Sequence, residues 1–500
     1  MTIDASVTKR APWAALFLLG CGGPRAEPPG GSGTVMVPGD AAMEAAADTT
    51  PAATDVAAEA AVDRPPPRDA PAVSCEPGAL DLLLVIDNSN SMAENQANLA
   101  RNLGVLLSSL LTPPTTIDPM TGMPRPRYPA VQNLRVGVAS TDLGTPGSSV
   151  PSCSDGDVGD DGRLNPIRNG FALRAHPPWS TARPGVRPAR CTTDREQYPA
   201  FLRFASGMSA ADFSEDVVCN AYLSLGGCGL EQPLEAAYRA LVVHGATSNA
   251  GFLRDEASLG IVLLTDEDDG SVRDCRNAEP GAPCADALSV YDSTSRAWAS
   301  ADLNLRFYLY APGGAQDPTW PIDRYVDPRD PSRGFPSLKP GHPERVFFSA
   351  IIGVPINPPM RGDAVDWAAL LGSNPDGSDG YVGMSAEGPV SMRQRNQDPA
   401  CSARVVPSCR REGSTASTSC DAAAQYYAWP ARRVAQVARR FAETWGTGAV
   451  TSICRNDYSA AFANLLGARG CPSPADASTP DAAVDAAPRD VAPSDVNASQ

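Results

Sequence analysis

From about residue 78 to about residue 470, mainly apolar runs alternate with stretches whose apolar residues recur every three or four positions. The mainly apolar runs are Leu80–Asp87, Leu134–Ser140, Leu259–Thr265, Leu303–Tyr310, Val346–Val354 and Ala449–Cys454. Apolar runs that end in polar residues predict strands buried on both faces. Helical spacing appears in Met92–Leu111 (Leu99, Leu103, Leu106, Leu107, Leu110), in Leu234–Val243 (Leu234, Ala237, Leu241), and in Ala287–Ser300, Ala431–Trp445 and Tyr458–Leu466. Strands separated by helices require crossover connections. The predicted fold is therefore α/β: a doubly wound, mostly parallel sheet with helices on both faces.

The connections between these elements are long, at about 112–132, 145–208, 312–345 and 355–428. Ordered loops of such length need bracing, and most of the 13 cysteines fall in or beside them. No Cys-x-x-Cys occurs, so the cysteines point to an oxidising compartment and a disulfide framework. Short-range pairs such as Cys219–Cys228, Cys275–Cys284 and Cys454–Cys471 are candidate bridges, but sequence alone does not fix connectivity, which depends on geometry. The odd cysteine is accounted for at the N-terminus. Lys9 and Arg10, the apolar stretch Ala11–Leu19 and then Leu18-Leu19-Gly20-Cys21 read as a signal peptide ending in a lipobox-like sequence, with Cys21 the lipidated residue. Removing Cys21 leaves an even number. The expected organisation is a signal peptide over 1–21, a disordered linker over 22–74, the α/β domain with insertions over 75–471, and a disordered tail over 472–500. Both flanking segments are rich in Pro, Ala, Gly and Asp and too poor in large apolar residues to offset the entropy of ordering. Gly22 stands where an Asp often retains lipoproteins at the inner membrane. By analogy this points to an exported, outer-membrane lipoprotein held by its lipid, since no later apolar run is long enough to span a bilayer.

Net charge is −16. An acidic chain disfavours nucleic acid and anionic lipid headgroups as partners and suits the capture of cations. The three histidines (His176, His244, His342) are scattered, which argues against a His-rich zinc site. No Gly-x-Ser-x-Gly elbow, no His-Glu-x-x-His and no phosphate loop with Lys is present; the lysines are Lys9 and Lys339. No small-molecule substrate is evident, and a binding module is expected instead of an enzyme.

The sharpest local signal is Asp87-Asn88-Ser89-Asn90-Ser91, directly after the first apolar run. Ligands in open parallel sheets bind outside the carboxyl ends of strands. One carboxylate and two hydroxyls from a single turn offer hard oxygen donors suited to Mg²⁺, Mn²⁺ or Ca²⁺. The next helix begins beside this turn, so its positive end would favour an anion arriving there. Here the chain resembles the von Willebrand factor A (VWA) family, whose metal-ion-dependent adhesion site opens with Asp-x-Ser-x-Ser after the first strand. The family's second signature is an Asp after the central strand, and Gly260-Ile261-Val262-Leu263-Leu264-Thr265-Asp266 matches it. The resemblance covers roughly 78–470. It implies a divalent cation held by Asp87, Ser89, Ser91 and Asp266, with an open position completed by a carboxylate of a protein partner. The family also supplies a Thr from a Gly-rich stretch; here Gly226-Gly227-Cys228-Gly229 puts Cys228 or Gly229 there. Glu231 or a water is the candidate replacement. The alternative is a degenerate site in a metal-independent structural envelope protein. A hydrolase using Glu231 or Asp142 as base is a third option.

Other acidic residues stand near these motifs. Asp142, after the second strand, is expected either in the outer layer of the site or as a turn cap. Glu267, Asp268 and Asp269 either hold a further cation or face solvent. Asp155–Gly162 faintly resembles a calcium loop but fails the EF-hand spacing, and Asn374–Asp379 is a weaker instance. Arg361-Gly362-Asp363 matches a cell-attachment tripeptide that arises easily by chance.

Overall fold

A computed structural model describes residues 78–145, 148, 153, 159–165, 199–223, 225–273, 275, 280–285, 290–291, 317–372, 408–412 and 427–467. The signal peptide, linker and tail, the Asn374–Asp379 stretch, and nearly all of the expected helix 287–300 and strand 303–310 lie outside the described residues.

Six strands form one sheet: β1 (Ala79–Ile86), β2 (Asn133–Ser140), β3 (Phe201–Phe204), β4 (Ser258–Leu264), β5 (Val346–Ile352) and β6 (Gly448–Ser452). Their order is β6-β5-β4-β1-β2-β3. All neighbours run parallel except the edge pair β2–β3, which is antiparallel. Strand β3 lies in what the sequence reads as a long loop. The chain thus builds outward from β1 on one side, returns to the other side at β4, and builds outward again. The reversal falls between β1 and β4, where doubly wound sheets open a crevice at the carboxyl ends of their strands.

Each apolar run serves both faces because alternate side chains point to opposite sides. On one face Leu83, Val85, Leu259, Ile261, Leu263, Phe348 and Ala350 pack against α3 (Pro233–Tyr238), α4 (Trp367–Leu371) and α5 (Arg432–Trp445). On the other, Leu82, Leu84, Ile86, Val136, Val138, Val262 and Leu264 pack against α1 (Ala93–Leu111), α2 (Ala210–Ala221) and α6 (Ser459–Gly467). Helix α1 carries the expected stripe: Leu99, Leu103, Leu106, Leu107 and Leu110 are all buried. Helix α3 passes directly into a π-helical turn, Arg239–Val243.

The cysteines pair differently from the short-range expectation in two of three cases. Cys275–Cys284 forms as expected. Cys228, however, bonds Cys153 instead of Cys219, and Cys454 bonds Cys409 instead of Cys471. The nearest partner in sequence loses because the fold decides which cysteines meet. The Cys153–Cys228 bridge ties the loop after β2 to the loop before α3, and Cys409–Cys454 ties a short hairpin to the turn after β6.

Candidate functional site

The register of the central strands sets the site. Ile86 lies level with Ser140 on one side and with Leu264 on the other, so the three strands end at one rim. The chain leaves that rim at Asp87, Thr141 and Thr265. Asp87 is fully buried. Its backbone N–H donates to the Leu264 carbonyl at 2.9 Å, and its own carbonyl accepts from Gln96 Nε2 at 2.8 Å. One carboxylate oxygen accepts the Ser89 N–H at 2.8 Å, which closes the turn. The other accepts from Thr265 Oγ1, also at 2.8 Å.

The turn then brings the three remaining oxygens together. Ser89 Oγ and Ser91 Oγ are 3.0 Å apart, and Ser91 Oγ donates to Asp266 Oδ1 at 3.1 Å. Asp87, Ser89 and Asp266 are buried while Ser91 is exposed, so the cluster opens to solvent at Ser91. Directly beyond it a short 3-10 turn, Asn90–Met92, leads into α1. The four residues named from sequence are thus brought together.

Glu231 joins them on the buried side. It is 1% exposed, and no hydroxyl, amide side chain or basic group donates to its carboxylate oxygens. Its carboxyl group lies against that of Glu267, whose Oε2 likewise lacks such a donor. Glu267 is buried, so the expectation that it faces solvent does not hold. Burial drives the protonation of all four acids upward. Asp87 is pushed up to about 6. Burial and the charge of Asp87 push Asp266 up to about 8. Glu231 and Glu267 rise well above the usual carboxylate range, first by burial and then by the negative charges around them. No described Lys, Arg or His forms an ion pair with any of the four. A buried carboxylate cluster without a positive partner is costly unless protons or a cation neutralise it.

Hard oxygen donors, two hydroxyls on the exposed side and orphaned carboxylate oxygens on the buried side fit a divalent cation better than any soft metal. Among the described residues no three His, Cys, Asp or Glu side chains form a metal-holding group by themselves; this donor set depends on the Ser89 and Ser91 hydroxyls.

The remaining acidic candidates have other duties. Asp142 caps its own turn, accepting the Gly144 N–H at 2.9 Å. Asp268 accepts the Arg433 N–H at 2.8 Å and faces Arg432. Asp269 accepts the Leu234 N–H at 3.0 Å, at the start of α3, and pairs with Arg433 Nε at 3.0 Å. Asp268 and Asp269 therefore do not face solvent: arginines from α5 neutralise them. In the loop that faintly resembles a calcium site, Asp160 accepts from Ser140 Oγ, while Asp161 pairs with Arg239 and with His244 Nε2. Both carboxylates are thereby engaged with protein donors. In the cell-attachment-like tripeptide, Arg361 pairs with Asp366 at 3.0 Å and Asp363 is exposed on a two-stranded turn.

The Gly-rich stretch before α3 reaches the site through its backbone. Gly227 N–H donates to the Asn88 carbonyl at 2.9 Å. The disulfide of Cys228 keeps its sulfur from serving as a hard-metal donor. Sequence reading missed the part played by Thr265. Its position beside Asp266 at the end of an apolar run was the available signal.

No family model, curated protein or solved structure matches the chain.

Proposed function

We propose that the chain is a VWA-type binding module of an exported, lipid-anchored envelope protein, which grips a carboxylate of a protein partner through a divalent cation. The observation that carries this reading is the hydrogen bond from Ser91 to Asp266, which joins two stretches 175 residues apart at the switch point of the sheet. Asp87, Ser89, Ser91 and Asp266 would hold the cation, and Glu231 or a water would supply a further oxygen donor. A bound cation supplies a positive centre for a partner Asp or Glu. The chain's own contribution is to fix the donors. Thr265 and the Ser89 amide orient Asp87, Gln96 holds the turn, and the open side at Ser91 admits the partner. Among the described residues no helix is long and apolar enough to cross a membrane, which suits attachment through Cys21.

The test is calorimetric titration of the full chain with Mg²⁺, Mn²⁺ and Ca²⁺, beside Ser91→Ala and Asp266→Asn. Saturable heat with at least one cation, lost in both variants while circular dichroism stays unchanged, is the expected result. Incorporation of labelled palmitate, lost in Cys21→Ala, tests the anchor.

A second reading is a metal-independent envelope scaffold. It is favoured by the Cys153–Cys228 disulfide, which occupies the place where the family supplies a threonine hydroxyl. Absence of heat with all three cations, together with partner capture that survives a chelator, selects this reading.

A further inference from the structure

At the other end of α1 from the oxygen cluster, the chain forms a hairpin of Thr115–Ile117 paired with Pro124–Pro126. Its apolar side chains point away from the core: Ile117 is 62% exposed, Met123 65% and Met120 91%. Large apolar groups clustered at a projecting tip mark a contact surface. Two features of the backbone identify what it contacts.

The first is that every N–H from Asp118 to Met123 is satisfied within the turn. Asp118 N–H donates to the Met123 carbonyl at 2.9 Å and Gly122 N–H to the Asp118 carbonyl at 2.8 Å. Asp118 Oδ1 accepts from the amides of Met120 at 2.8 Å and Thr121 at 3.2 Å. Met123 N–H donates to Thr121 Oγ1 at 3.3 Å, and Pro119 has no N–H. A tip whose donors are internally paired can enter an apolar layer without stranding them.

The second concerns the hairpin's outer edge. Arg127 N–H donates inward to Pro114 O, so residues 123, 125 and 127 face the partner strand. Pro124 and Pro126 face outward and have no N–H. That edge offers no amide donor to a further strand, so a protein partner cannot add to the hairpin along 124–126.

The hairpin also stands where the chain enters the domain. Gln132 and Asn133 amides donate to the Gly78 carbonyl at 2.9 and 3.2 Å, just past the hairpin. The described domain therefore begins, at Gly78, at this end. The local charge departs from the overall −16. Between 112 and 131 the charged residues are Asp118, Arg125 and Arg127, and Asp118 lies 3.3 Å from Arg125.

We infer that the 115–126 hairpin is a bilayer-contacting element that inserts Ile117, Met120 and Met123 among phospholipid acyl chains, with Arg125 and Arg127 at headgroup level. It rests on the proposed membrane anchoring only for the direction from which the bilayer is met, and it is independent of the cation site.

The test introduces Met120→Trp into the full chain and mixes it with phosphatidylethanolamine/phosphatidylglycerol vesicles, with and without brominated acyl chains. The added emission should shift to the blue and fall by about half in brominated vesicles, as insertion to the acyl boundary requires. With Cys21→Ser to remove the acylation site, the triple variant Ile117→Ser/Met120→Ser/Met123→Ser should partition to vesicles at least roughly tenfold more weakly than the unmutated hairpin. Equal partition of the two, or added emission that bromine does not quench, overturns the inference. So does a loss confined to self-association measured by light scattering without vesicles, which would assign the hairpin to protein contact. Quenching in a chain that incorporates no palmitate would sustain the hairpin's role while removing the lipid anchor. Palmitate incorporation without quenching would do the reverse.

Discussion

The carboxamide of Asn88 occupies the space beside Gly227: a Cβ built on that glycine would lie 2.1 Å from Asn88 Oδ1. The two also share a backbone hydrogen bond, Gly227 N–H to Asn88 O. The loop before α3 is thus seated directly on the turn that carries Ser89 and Ser91. Gly227→Ala is expected to destabilise the domain by ~1–3 kcal/mol through overpacking and to weaken cation binding. Asn88→Ala removes the obstructing carboxamide, so the double variant should regain most of the lost stability. Denaturant melts of the three proteins check this; additive losses would refute the steric account.

The acid cluster gives the metal-free chain a distinctive pH dependence. Asp87, Asp266, Glu231 and Glu267 all have folded-state pKa values above those of an unfolded chain. Groups raised in this way hold more protons folded than unfolded. Their stabilising effect is complete below pH about 4 and is lost as pH climbs through about 6 for Asp87 and about 8 for Asp266. In the presence of a chelator, stability should therefore fall between pH 5 and pH 8, by an amount on the order of a few kcal/mol. Urea unfolding at the two pH values measures it. A cation that binds the cluster should reverse the trend, because ionised ligands bind it best.

Glu231→Gln separates the cost of burial from ligation. Glutamine needs no proton to be buried neutral, so the change should stabilise the chelated protein at neutral pH by ~1–3 kcal/mol, while lowering cation affinity in the titration. Loss of stability without cation would show that the Glu231 carboxylate is held by something other than its acidic neighbours.

At the opposite end of the sheet, Lys339 is 1% exposed and donates to the Arg254 carbonyl. Burial lowers its pKa to about 8. A lysine lowered in the folded state holds fewer protons there than in the unfolded chain. This contribution to stability therefore increases as pH rises from about 8 towards the ordinary lysine value. Lys339→Met should flatten the stability curve above pH 8, as read by thermal melts at pH 7.5 and 9.5.

Much of this arrangement was legible from residue pattern alone. Five of the six strands are mainly apolar because parallel strands are covered on both faces, and the same burial makes Asp87 and Asp266 conspicuous as the acids that directly follow two such strands. Strand β3 was not legible. It has four residues at a sheet edge, where only one neighbour dictates its pattern. Helix α2 carried a readable start, since Ser209 caps it by accepting the Asp212 N–H at 3.2 Å, and its buried Phe213, Val217 and Val218 lie at helical spacing. The disulfides were legible as a class but not as pairs: Cys153 and Cys228 are 75 residues apart and meet only because β2 and α3 end at the same rim. The duties of Asp268 and Asp269 depend on arginines more than 160 positions away in α5.

Strand β1 connects the two ends of the molecule by itself. Gly78 precedes its first residue and Asp87 follows its last, with β2 and β4 bonded along its whole length. A pull applied at the oxygen cluster and resisted at the point of chain entry would run parallel to this strand. Such a load stretches the flanking hydrogen bonds in shear, so that they must break together instead of peeling one at a time. The geometry makes β1 the element most resistant to a load along the strands.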